Sequence, residues 1–80
     1  MLKDDQIENL RRGVTATPED LRLRYELGAA LCERGDYEAA IEQLQKAVGA
    51  PDIQEQALKL LSEAFRGAGL DELAIDDQKA

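Results

Sequence analysis

The sequence predicts an all-α fold of antiparallel helical hairpins stacked side by side, about four to five helices in 80 residues. Three observations lead there. Ala, Leu, Glu, Gln, Arg and Lys dominate a chain with few β-branched residues and three aromatics, Tyr25, Tyr37 and Phe65, a mixture that favours helix over sheet. Apolar residues recur at spacings of three and four between glycine and proline breaks, as one face of a helix requires. Leu27 and Leu61, Gly35 and Gly69, and Ala40 and Ala74 are each 34 residues apart, which is the mark of an internal repeat.

The elements follow in order. From Asp4 to Arg12, Ile7 and Leu10 share a face that Val14 continues, and Gly13 reads as the stop. The second helix opens at Thr17-Pro18-Glu19-Asp20, where threonine can cap, proline suits the first turn and two acids meet the positive end of the helix dipole. It carries Leu21, Leu23, Leu27, Leu31 and Cys32 and ends at Gly35. Asp36 reads as the cap of a third helix with Tyr37, Ala40, Ile41, Leu44, Ala47 and Val48 on its apolar stripe. Gly49 to Asp52 breaks that stripe. Asp52 and Glu55 have the spacing of a capping box for a fourth helix, which carries Ala57, Leu58, Leu61, Ala64, Phe65 and Ala68 and is closed by Gly67 and Gly69. Asp71 begins a last piece with Leu73, Ala74 and Ile75. Connections as short as Arg34-Gly35-Asp36 allow only antiparallel neighbours, and Gly28, Ala40 and Ala47 are small where paired helices would approach closely.

Charge and composition narrow the function. Ten basic against seventeen acidic residues give a net charge of -7, which repels phosphate backbones and anionic lipid and points to a basic or neutral partner, with neither nucleic acid nor membrane involved. Cys32 is the single cysteine, compatible with a reducing compartment. No apolar run approaches a membrane span, and the first five residues lack the apolar stretch of a signal peptide, so the chain reads as cytoplasmic.

Catalysis has little to work with. There is no histidine, and Ser62 is the one serine. There is no glycine-rich phosphate loop. Cys32 on its helix face and Ser62 at a small-residue position both read as packing. Asp4-Asp5 sits at a helix start and Asp76-Asp77 on an exposed face, and neither has calcium-loop spacing. No enzyme activity, metal or cofactor is expected.

The run from Leu27 to Ala47, "LGAALCERGDYEAAIEQLQKA", with its period of 34 and two helices per unit, resembles the tetratricopeptide repeat. Leu27-Gly28, Leu31, Gly35-Asp36-Tyr37, Ala40-Ile41, Leu44 and Ala47 carry the match. Departures are Arg24 at the usual tryptophan, Leu31 for tyrosine, Leu44 for phenylalanine, and Pro51 one place early. In these terms residues 1–80 form a single domain, with a half repeat at 1–18, a full repeat at 21–54 and an incomplete repeat at 55–80.

The resemblance implies a non-catalytic module that binds a protein or peptide in the groove formed by the first helix of each repeat. One helix would contribute Arg22, Tyr25, Glu26, Ala29 and Glu33 to that groove, and the next Gln56, Lys59, Leu60, Glu63 and Arg66. Its formal charges would cancel, with Tyr25 and Leu60 as apolar anchors and Arg22, Lys59 and Arg66 positioning polar groups. The carboxylate clamp that some family members build from lysine, asparagine and arginine is missing, because Tyr25, Ala29, Gln56 and Leu60 stand there. The alternatives are a structural element that self-associates through its C-terminal repeat, and part of a longer repeat protein or a chaperone-like multidomain protein. Fewer than three repeats seldom bury their own apolar faces, and Gln78 stands where the earlier copy has Leu44. The expected exposed side is Leu70, Leu73, Ile75 and part of the Leu58 to Phe65 helix.

Overall fold

A computed structural model describes residues 2–69 as four α-helices. They are α1 (Leu2–Ala16), α2 (Leu21–Arg34), α3 (Tyr37–Ala47) and α4 (Gln54–Ala68), and no strand occurs among the described residues. The expected fifth helix from Asp71, with Leu70, Leu73 and Ile75, lies outside them. Each helix packs on the one before it, and α2 also meets α4. The first helices of successive hairpins are therefore neighbours, which is what a groove between them needs.

One core cluster joins Ile7 and Val14 of α1 to Leu27, Ala30 and Leu31 of α2, Ala40, Ile41 and Leu44 of α3, and Ala64 of α4. A smaller one gathers Ala47, Ile53 and Ala57 where α3 turns into α4. Most of the periodic apolar positions are thus buried or half-buried, as removal of apolar surface from water demands, whereas Leu58 on α4 is 50% exposed. Among the described residues no polar or charged side chain is fully buried, so the interior is held by packing and the polar contacts lie outside it.

The small residues sit at close helix crossings. A Cβ on Gly28 would fall 2.7 Å from Leu44 Cγ and 3.4 Å from the carbonyl oxygen of Ala40. Ala40 and Ala47 are fully buried. Gly35 at φ +91° ends α2 in the left-handed conformation that glycine alone adopts freely. Its N–H donates to Cys32 O, and that of Asp36 to Leu31 O, so the orphan carbonyls of α2 are satisfied within the tight turn.

Helix starts differ from their sequence signals. Gly13 does not stop α1, which runs on to Ala16; a Cβ at Gly13 would lie 2.7 Å from Leu23 Cδ2, so this glycine serves the α1–α2 crossing. Thr17 does not cap α2. Thr17 to Asp20 form a turn, with the Asp20 N–H donating to Thr17 O, and the Asp20 carboxylate accepts from the Leu23 N–H at 3.1 Å. Asp36 holds the cap position of α3 but makes no side-chain cap bond. The capping box at Asp52 and Glu55 does not form either, because α4 starts at Gln54 after Ile53, and the Asp52 carboxylate instead holds Arg22 at 2.8 Å. Burial of Ile53 against Ala47 and Ala57 fixes that start. Gly67 lies inside α4, and Gly69 at φ +82° closes it.

A candidate partner-binding groove

Between α2 and α4 lies an open depression of about 440 Å³, lined by Tyr25, Ala29, Cys32 and Glu33 from α2, Tyr37 from α3, and Leu60 and Glu63 from α4. Helical spacing explains the set. Tyr25, Ala29 and Glu33 stand one turn apart along α2, and Leu60 and Glu63 are three apart on α4. Tyr25, Ala29 and Leu60 are half-buried, whereas Glu33 and Glu63 are exposed. The result is an apolar floor with two carboxylates at its edge. Gln56 and Lys59 extend it along α4, lining an adjoining depression with Tyr25, Leu60 and Glu63.

The remaining expected groove residues are placed differently. Glu26 lines a depression on the other side of Tyr25, shared with Gln6 and Ala30. Arg22 engages Asp52 in the turn before α4, with both side chains 64% exposed, and does not line the α2–α4 depression. Arg66 is exposed and lines it no more than Arg22 does. Of the three cations counted into a neutral groove, none lines the depression edged by Glu33 and Glu63, and only Lys59 lines the adjoining one, with Glu63. The electrostatic balance of the depression is therefore negative.

Cys32 and Tyr37 are the two lining residues that sequence reasoning missed. Cys32 belongs to the apolar stripe of α2 but is only half-buried there. Burial first, and the neighbouring Glu63 carboxylate second, push its thiol above the ordinary value. A thiol held in its neutral form is a poor nucleophile. Tyr37 comes from the second helix of the hairpin, a helix outside the register from which groove residues were assigned. Its signal was Gly67, a glycine inside a helix that another glycine closes. A Cβ there would lie 2.6 Å from the Tyr37 ring, so the tyrosine reaches the groove by lying across α4 where α4 has no side chain.

Among the described residues no group of three or more His, Cys, Asp or Glu is arranged to hold a metal ion. No helix of the described residues is long and apolar enough to cross a membrane.

Comparison with known proteins gave no significant match among curated proteins or among solved structures. A family model described as tetratricopeptide repeat matches residues 2–79. With its paired antiparallel helices and its period of 34, the chain belongs to the tetratricopeptide repeat family.

Proposed function

We infer that residues 1–80 form one non-catalytic interaction module, a half repeat at 1–18, a full repeat at 21–54 and an incomplete one at 55–80, that holds an extended segment of a partner protein between α2 and α4. Repeats of this family generally mediate protein–protein interaction. The observation that supports the groove is its lining: Tyr25, Tyr37 and Leu60 offer apolar and aromatic surface beside Glu33 and Glu63. Tyrosines bury large area with few rotors to freeze, which suits them as anchors. The carboxylates favour a segment that sets a lysine or arginine next to an apolar side chain, and the net charge of -7 favours the same class at long range. Lys59 and Gln56 are left to hold the partner's backbone carbonyls. A cytoplasmic setting is consistent with the lone thiol of Cys32, and the overall charge with a partner that is neither nucleic acid nor membrane.

Selection from a random peptide display library tests this reading. Enriched peptides should pair a basic with an apolar residue. Tyr25→Ala with Leu60→Ala should weaken them by about tenfold or more, as loss of buried anchors does. Glu33→Gln with Glu63→Gln should erase the preference for basic residues, and Glu42→Ala on the exposed side of α3 should change nothing. Enrichment of acidic peptides, or equal behaviour of the groove and α3 variants, would place binding elsewhere. The alternative, self-association, draws on Leu58 of α4, a large apolar side chain that is 50% exposed. Concentration-dependent light scattering separates the two.

A further inference from the structure

Two of the chain's three aromatic residues stand at one place. Tyr25 and Tyr37 both line the depression between α2 and α4, and both are half-buried. Each packs on the main core cluster, so the interior backs the rings on one side and solvent meets them on the other. Tyr37 owes its position to Gly67. Its Cε1 and Cζ lie 2.6 Å, and its Cδ1 2.8 Å, from where a Cβ at residue 67 would stand. Glycine inside a helix weakens that helix, and here the missing side chain is the space that the ring occupies.

The repeat itself does not call for these residues. One period of 34 away from Tyr25 stands Lys59, from Glu33 Gly67, from Glu63 Ala29, and from Tyr37 both Lys3 and Asp71. A contact that every hairpin needed would recur, and this set does not. Nor does the set neutralise itself. Glu33 and Glu63 are exposed, no cation among the described residues lines the depression with them, and Arg22 is held by Asp52 in the turn before α4. What remains is ring surface beside two carboxylates around about 440 Å³ of open space.

Aromatic faces attract cations, and carboxylates accept hydrogen bonds from them. Three cationic groups compete for such a place. A quaternary ammonium would use the rings and offer the carboxylates no N–H. A lysine ammonium is a compact, strongly hydrated point charge that suits carboxylates better than rings. A guanidinium uses both at once, because it stacks flat on an aromatic face and presents its N–H fork in its own plane. We propose that the depression reads arginine: the guanidinium of a partner segment stacks on Tyr37, its N–H edge meets Glu33 and Glu63, and its apolar stem lies along Tyr25 and Leu60. This rests on the groove binding inferred for the chain and narrows the partner's basic residue to one kind.

The test takes peptides selected on the unaltered full chain, resynthesises them with single replacements of their basic residue, and reads affinity by fluorescence anisotropy. Arginine should dominate at the basic position. Replacing it with lysine should weaken binding about fivefold or more, the scale of a partly desolvated cation–π contact, and trimethyllysine should bind more weakly still. Tyr37→Phe, which keeps a ring, should retain most of the preference for arginine over lysine, and Tyr37→Leu should bring that ratio close to one. Gly67→Ala, which crowds the ring, should lower it. Lysine binding as tightly as arginine would overturn the proposal, as would trimethyllysine binding more tightly; both changes are made in the peptide, so they count whatever a variant does to folding. A ratio that survives Tyr37→Leu would overturn it too. Each of these results leaves the groove itself standing, whereas selected peptides that lack a basic residue, or that ignore Tyr25→Ala with Leu60→Ala, would remove the groove and the arginine site together.

Discussion

A side chain at residue 28 has no room. An added Cβ would meet Leu44 at 2.7 and 2.8 Å and the Ala40 carbonyl oxygen at 3.4 Å, and a fully buried leucine has little space to retreat into. Gly28→Ala, and Ala40→Leu from the other side, should each cost about 1–3 kcal/mol through overpacking; an unchanged melting temperature for both would mean that α2 and α3 do not cross here. Cys32 supplies a second prediction at this scale. Burial, then Glu63, raise its pKa, so at neutral pH it should react with iodoacetamide more slowly in the folded chain than in urea. Glu63→Gln, which removes the smaller cause, should speed the folded reaction modestly. By linkage, stability should fall as pH climbs from the thiol's ordinary value toward its raised one, because the unfolded thiol ionises first. Equal alkylation rates in the folded and unfolded chain would contradict this placement of Cys32.

At the scale of elements, the sequence made the helices legible and their starts much less so. Apolar spacing is a property of one segment, and the stripes of α2 and α3 are the faces that packed, while that of α4 packed through Ala57 and Ala64 and left Leu58 exposed. A cap depends on what else a carboxylate can reach. Asp52 had the spacing to close its own helix, but Arg22, thirty residues away in sequence, holds it. Asp20 had no such competitor among its contacts and took the capping role that Thr17 was expected to fill. The exposed Arg22–Asp52 pair spans two repeats yet should matter little, since such pairs contribute at most about 1 kcal/mol. Gly35 is the opposite case: it has open space for a Cβ, but its φ of +91° is strained for other residues. Gly35→Ala should destabilise by about 1–2 kcal/mol, more than Arg22→Ala. Chemical denaturation of the two variants checks that order, and a larger loss for Arg22→Ala would show the interhelix ion pair to be worth more than its exposure suggests.

Across the molecule, the period of 34 foretold which helices are neighbours, and with them the facing of Tyr25, Ala29 and Glu33 by Leu60 and Glu63. It could not reveal that Tyr37 crosses into the groove over Gly67, nor that Arg22 is drawn to Asp52, because both are contacts between units and a repeat describes one unit. The same topology ranks the helices by support. Among the described helices α3 packs on both α2 and α4, whereas α1 packs on α2 alone, tied in mainly through Ile7 and Val14. Opening α1 exposes one interface; opening α3 exposes two and takes Ala40, Ile41 and Leu44 out of the core. Local opening free energy should follow that difference, and native-state exchange reports it. Amides in the middle of α3 should exchange only through global unfolding, and those of α1 through a cheaper opening. Ile7→Ala, at a site 1% exposed, should cost about 2–5 kcal/mol globally and widen the gap between α1 and α3. Equal protection of α1 and α3 would mean that the four helices open as one cooperative unit, and that α1 is held by more than the single interface it shares with α2.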